Sequence, residues 1–133
     1  MITYFMRLLI LLPVIVLVYF VYNPSERAAT ARDEVRKNTV SVLARGLTTS
    51  FKKDGVYPSD LRVLETLPAD INDYTYKVSK RGDAIVLYAR AESLSWKEYC
   101  FKETALITYS SNSERTGVVC SNSPTPGPQE FVN

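Results

Sequence analysis

The sequence predicts an α+β protein in which a long N-terminal helix, membrane-spanning in its first half, packs against a small antiparallel β-sheet head. Three observations predict it. Residues 2–22 (ITYFMRLLILLPVIVLVYFVY) hold a single charge, Arg7. Residues 24–53 run on with no proline after Pro24, one glycine, and apolar residues at helical spacing. From Tyr74 the apolar period changes to two, the period of strands. The 133 residues divide into an anchor (1–22), an amphipathic stalk helix (23–53), a head (54–120) and a Pro/Ser-rich tail (121–133).

At about 1.5 Å per residue, the apolar run reaches roughly 30 Å, one bilayer core. Tyr4 and Phe5 stand near one end, with Tyr19, Phe20 and Tyr22 at the other, as interfacial aromatic belts do. A cleaved signal peptide is the competing reading, but Tyr22-Asn23-Pro24 stand where cleavage needs small residues. An uncleaved anchor is therefore expected. Pro13 frees the Leu9 carbonyl, which a neighbouring helix can satisfy. Leu9, Leu12, Val16 and Phe20 share one face at spacings of three and four, and form the candidate contact within the membrane.

Two signals oppose each other on orientation. Arg27, Arg32, Arg36 and Lys37 outnumber Arg7 and favour a cytoplasmic C-terminus. The two cysteines, Cys100 and Cys120, stand 20 positions apart with no histidine to complete a metal site. They read either as one disulfide in an oxidising compartment or as two buried thiols. The exported orientation is adopted: a single pass through the inner membrane with the head extracytoplasmic.

Asn23 and Pro24 allow two accounts. Asn23 caps a new helix with Glu26 reaching back in a capping box, or one helix continues with a kink. Two apolar lines then run along the stalk. Ala28, Ala31, Val35 and Val42 form a small one, joined by Thr39 and Gly46; Val40, Leu43, Leu47 and Phe51 form a bulky one, rotated by roughly 120°. The bulky line is assigned to the head's own core and the small line to a neighbour's helix. The stalk, 24–53, carries a net +4 and the rest, 54–133, a net −3. A basic stalk beside a membrane meets anionic lipid or acidic neighbours, or is an ordinary solvated helix.

Asp54-Gly55 is a helix stop with Gly55 left-handed. Val56 and Tyr57 are extended before Pro58. Ser59 is expected to cap a short helix with Leu61, Leu64 and Leu67 on one face, ended by Pro68. Tyr57, Leu61, Leu64 and Tyr76 join the predicted head core. Strands are expected at 74–78 and 84–88 around a Lys80–Asp83 turn, then around Tyr99–Phe101, Ala105–Tyr109 and Val118–Cys120. Trp96, near Leu94 and Tyr99, reads as core. The tail, SNSPTPGPQEFVN, is expected to be mobile.

This order of parts resembles the type IV pilin and type II secretion pseudopilin superfamily. Lys53 to Leu64 (KDGVYPSDLRVL) is similar to its Gly-x-Tyr-Pro segment after the long helix. Tyr74 to Tyr88 is similar to its tyrosine-rich first hairpin, and Cys100 and Cys120 fall where many pilins close a disulfide-bounded loop. The resemblance implies a structural subunit that partners with itself or other pilin-like subunits, with inner-membrane lipid and with an assembly platform. The chain departs from the family in having no glycine before Gly46 and no acid before Glu26. Processing by the prepilin peptidase and the usual charge pairing between neighbours thus lack their motifs. A minor, initiating or divergent subunit fits better, or a lineage with its own processing rule.

Catalytic signals are sparse. The sequence has no histidine, and its five glycines stand singly rather than in a phosphate loop. Asp70-Ile71-Asn72-Asp73 lacks the glycine and distal glutamate of a calcium loop, and residues 111–117 offer one acid, Glu114. Arg81-Gly82-Asp83 reads as a hairpin turn rather than an adhesion tripeptide. The acidic head argues against nucleic acid as a partner. No enzyme activity, cofactor or metal is therefore expected. The expected function is a filament subunit; the alternative is a monomeric, single-pass anchored module that recruits an extracytoplasmic partner.

Overall fold

The computed structural model describes residues 11–19 and 22–132. Much of the expected anchor, including Leu9 and Phe20, lies outside the described residues. Residues 11–19 are helical, and among the described residues no helix is long and apolar enough to cross a membrane. Asn23 then breaks the helical path, and helix α1 (Pro24–Asp54) begins with Pro24 in its first turn. The capping box does not form. Asn23 Oδ1 is bonded by the Ser25 hydroxyl at 2.8 Å, and the Glu26 carboxylate turns elsewhere.

α1 ends as its sequence dictates. Gly55 is left-handed (φ 75°) and its N–H returns to the Phe51 carbonyl at 2.8 Å. The next residues are bound to the hairpin: the Tyr57 amide donates to the Gly82 carbonyl at 2.8 Å, and the Tyr76 hydroxyl to the Pro58 carbonyl at 2.7 Å. The Tyr57 ring stacks on Phe51 with centroids 4.3 Å apart. The expected short helix shrinks to a single 3₁₀ turn, Leu61–Val63. Its cap is Asp60, whose carboxylate takes the Arg62 amide at 2.9 Å, rather than Ser59. A carboxylate reaching two residues on suits so tight a turn. A second 3₁₀ turn, Ile71–Asp73, leads into the sheet.

The sheet is an antiparallel meander of four strands, β1 (Tyr74–Val78), β2 (Ile85–Arg90), β3 (Ala105–Ser110) and β4 (Arg115–Cys120), in that spatial order. Tyr76 pairs with Leu87, Ala89 with Ile107, and Ile107 with Val118. The Lys80–Asp83 segment is the β1–β2 turn, with Gly82 at φ 71° and the Ser79 hydroxyl donating to Asp83 at 2.6 Å. The strand expected around Tyr99–Phe101 is instead the end of helix α2 (Leu94–Cys100), so the head has four strands where five were expected. Trp96 packs partly buried on the core, whereas Leu94 and Tyr99 are exposed.

One sheet face packs on α1. Val40, Leu43, Ala44 and Leu47 meet Ile85, Leu87, Ala89, Ile107 and Val118 in the core. The opposite face is covered too, by the Pro/Ser-rich tail, which is ordered rather than mobile. Val86, Leu106, Thr108, Ser110 and Val119 alternate with the core residues and are nevertheless buried. The Ser110 hydroxyl donates to the Gly127 carbonyl at 2.8 Å, and Lys77 Nζ donates to the Pro124 carbonyl at 3.0 Å. Val132 N–H donates to the Val118 carbonyl at 2.8 Å on the free side of β4. Gly117 makes room for the Phe131 ring, since a Cβ there would lie 2.8 Å from it. Proline removes backbone donors and chain entropy, so a Pro-rich strap can lie flat on a finished sheet.

Candidate functional site

The long helix carries different chemistry on its different sides. Val40, Leu43 and Leu47 are fully buried, with Phe51 packed on their cluster. Tyr57 and Leu61 are buried with them, and Leu64 and Tyr76 are partly buried against the same core. On the other line, Ala28 and Ala31 are exposed, Val35 is 62% exposed and Val42 59%. Leu12 and Val16, in the helical stretch before α1, are exposed as well. Gly46 does not continue the exposed line. It lies under Leu64, whose Cδ2 would stand 3.2 Å from an added Cβ, so the line ends where the head folds over it. Val35, Asn38, Thr39 and Val42 form one wall of an apolar groove, and Thr66, Leu67 and Pro68 form the other. Small and β-branched side chains let a second helix approach closely, which is what this side offers chemically.

A second constellation fixes the start of α1 to the head, and sequence reasoning missed it. The Asp33 carboxylate is buried and accepts two backbone amides, Glu92 N at 2.8 Å and Ser93 N at 2.9 Å. Arg36 donates to Asp33 at 3.4 Å and also to Glu92, and Arg32 Nε donates to Glu92 at 2.7 Å. Hydrogen bonds from Arg36, then Arg32, hold the Glu92 carboxyl below the usual glutamate range. Glu26 accepts the Leu94 amide at 2.8 Å and the Ser95 amide at 3.3 Å, so α2 is capped from another element while Ser93 makes no side-chain cap. At its other end α2 is tied by the Cys100–Cys120 disulfide, with Cα atoms 5.3 Å apart. One signal was available: Asp33 lies on the same side of the helix as Ala29, Val40 and Leu47, where a carboxylate demands buried donors.

Together these contacts orient the head. Residues 91–104 and the disulfide lie at the end of the sheet nearest the start of α1, since Asp33 meets Glu92 and Ala91 N bonds the Ala105 carbonyl at 3.0 Å. The turn at Gly82 lies near the end of α1, where Tyr57 receives it. Among the described residues no group of three metal-ligating side chains comes together, and Asp70–Asp73 is a turn whose Asp73 amide bonds the Asp70 carbonyl at 2.9 Å. Compared with known proteins, the chain matches no family model, no curated protein and no solved structure.

Proposed function

We propose that this chain is a membrane-anchored, pilin-like structural subunit that assembles by helix-to-helix packing into a pilus or pseudopilus of a secretion or surface filament system. The observation that carries the reading is the division of α1: one side is built into the head, while Ala28, Ala31, Val35 and Val42 stand uncovered along the other. Contiguous exposed apolar surface is where interaction sites are found. The anchor face of Leu9, Leu12, Val16 and Phe20 is taken to continue the contact, and the partners are further copies or related pilin-like subunits. The four-stranded antiparallel head on a long helix, the left-handed Gly55 and the head disulfide support the same reading.

The reading requires an exported head, and impermeant thiol labelling of intact cells tests that. Cys100 and Cys120 are expected to label only after mild reduction, without lysis. If both label only after lysis and need no reductant, the head is cytoplasmic and the filament assignment is wrong.

A further inference from the structure

Helix α2 and the residue after it present three large apolar side chains to solvent: Leu94 is 51% exposed, Tyr99 63% and Phe101 85%. Phe101 has φ 41°, a left-handed value that bulky residues rarely adopt. Such a residue stays there only if its surroundings hold it, and they do. Glu26 and Asp33 grip the first turn of α2, the disulfide grips its last residue, and the Phe101 amide bonds the Glu98 carbonyl at 3.3 Å. The fold thus keeps Phe101 turned outward at a conformational cost, with its side chain 85% exposed.

Position says what would cover this surface. Leu94 is bonded to Glu26, which stands four positions after Tyr22, the last residue of the expected anchor. The headgroup layer beside a hydrocarbon core is about 5–7 Å deep. Residues 11–19, just before, form a helix whose large apolar side chains lie about half or more uncovered. The charges suit the same place. Lys97 shares a helical face with Leu94, Lys102 follows Phe101, and Arg90 and Lys97 line one groove with Asp73 and Glu92. Glu98 and Glu103 balance the two lysines, so the patch is amphipathic rather than strongly cationic. Aromatic rings and leucine with interspersed lysines are what the boundary between headgroups and acyl chains selects.

We infer that, in the anchored subunit, Leu94 and Lys97 of α2, together with Phe101 just after it, rest in the headgroup region of the same bilayer that holds residues 2–22. The inference builds on the membrane-anchored reading above. It makes the lipid surface a second partner of the head, one that must be released when the subunit leaves the membrane.

The test uses the full chain reconstituted in phosphatidylcholine/phosphatidylglycerol vesicles. Phe101→Trp and Leu94→Trp are made separately in a Trp96→Phe background, with Tyr19→Trp as the anchor control. Lipids brominated high on their acyl chains are expected to quench tryptophan at 101 and 94 by at least twofold, with acrylamide quenching reduced to a similar degree. Quenching by bromolipid at position 19 but not at 101 or 94 would overturn the inference and leave the anchor intact. Without bromolipid quenching at 19, the anchored reading fails and the inference falls with it. A blue shift at 101 that vanishes on diluting protein in lipid, with no bromolipid quenching, would mean that a second copy covers the patch, and would also overturn it.

Discussion

The Glu26 carboxylate accepts the backbone amide of Leu94 at 2.8 Å across 68 positions of sequence, and so ties the first turn of the long helix to the first turn of the short one. Replacing Glu26 by alanine removes the acceptor for two orphan amides and is expected to cost about 1 kcal/mol. Glu26→Gln, which keeps an oxygen acceptor, is expected to recover part of that. The check is a urea midpoint for each variant at unchanged slope; equal midpoints for wild type and Glu26→Ala would contradict the capping role.

Acid sensitivity follows from Glu92. Its carboxyl is held below the ordinary value by Arg36 and Arg32. A depressed folded-state pKa gives stability that is complete above the unfolded-chain value of about 4.3, and that is lost as pH falls through the folded value. Wild type is therefore expected to lose more stability than Glu92→Gln between about pH 5 and about pH 3. Salt should shrink the difference, because Glu92 is partly exposed. Parallel pH profiles for the two proteins would show that the arginines stabilise nothing there.

The tail is expected to behave as part of the core. Ending the chain at Ser123 would uncover Val86, Leu106 and Val119 on the outer sheet face. At about 1.5 kcal/mol or more for each uncovered side chain, the loss should be on the order of 4 kcal/mol, with new binding of an apolar dye. A mobile tail would leave both the melting temperature and dye binding unchanged.

Reducing the Cys100–Cys120 disulfide, or replacing both cysteines by serine, is expected to cost about 3 kcal/mol for a loop of this length. The loss should concentrate in α2, because the bridge holds its last turn. Amide exchange should accelerate first at residues 97–103, whereas uniform acceleration across the sheet would argue that the bridge supports the whole head equally.

How far the sequence revealed this structure depended on whether a signal was local. The α1 stop at Gly55, the strand Tyr74–Val78 and the turn at Gly82 each rest on residues that act on their own neighbours, and all were legible. Helix α2 was not, because Tyr99, Cys100 and Phe101 favour strands by themselves and the helix is capped by an acid far away in sequence. The tail was misjudged on composition alone. A better signal lay in the strands: Ile85, Val86 and Leu87, and Ala105 to Ile107, are continuous apolar runs rather than alternating ones, which marks burial on both faces. For the candidate site, helical spacing separated the buried line from the exposed one, while Gly46 was misplaced because its cover, Leu64, arrives through the joint. The place of Asp33 on the buried side of the helix signals a need for donors, but which amides supply them is illegible, because Glu92 and Ser93 stand about 60 residues away.

In the proposed filament, the uncovered line of α1 meets another subunit. A benzophenone amino acid in place of Val35 tests it most directly, since one probe per chain can link each subunit to the next. Irradiation of cells expressing the machinery should yield a ladder of multimers from position 35. The same probe at Lys37, exposed but turned by about 200° around the helix, should yield far less. Monomer alone at both positions, or equal yields from both, would contradict assembly through this line and leave a single anchored module in its place.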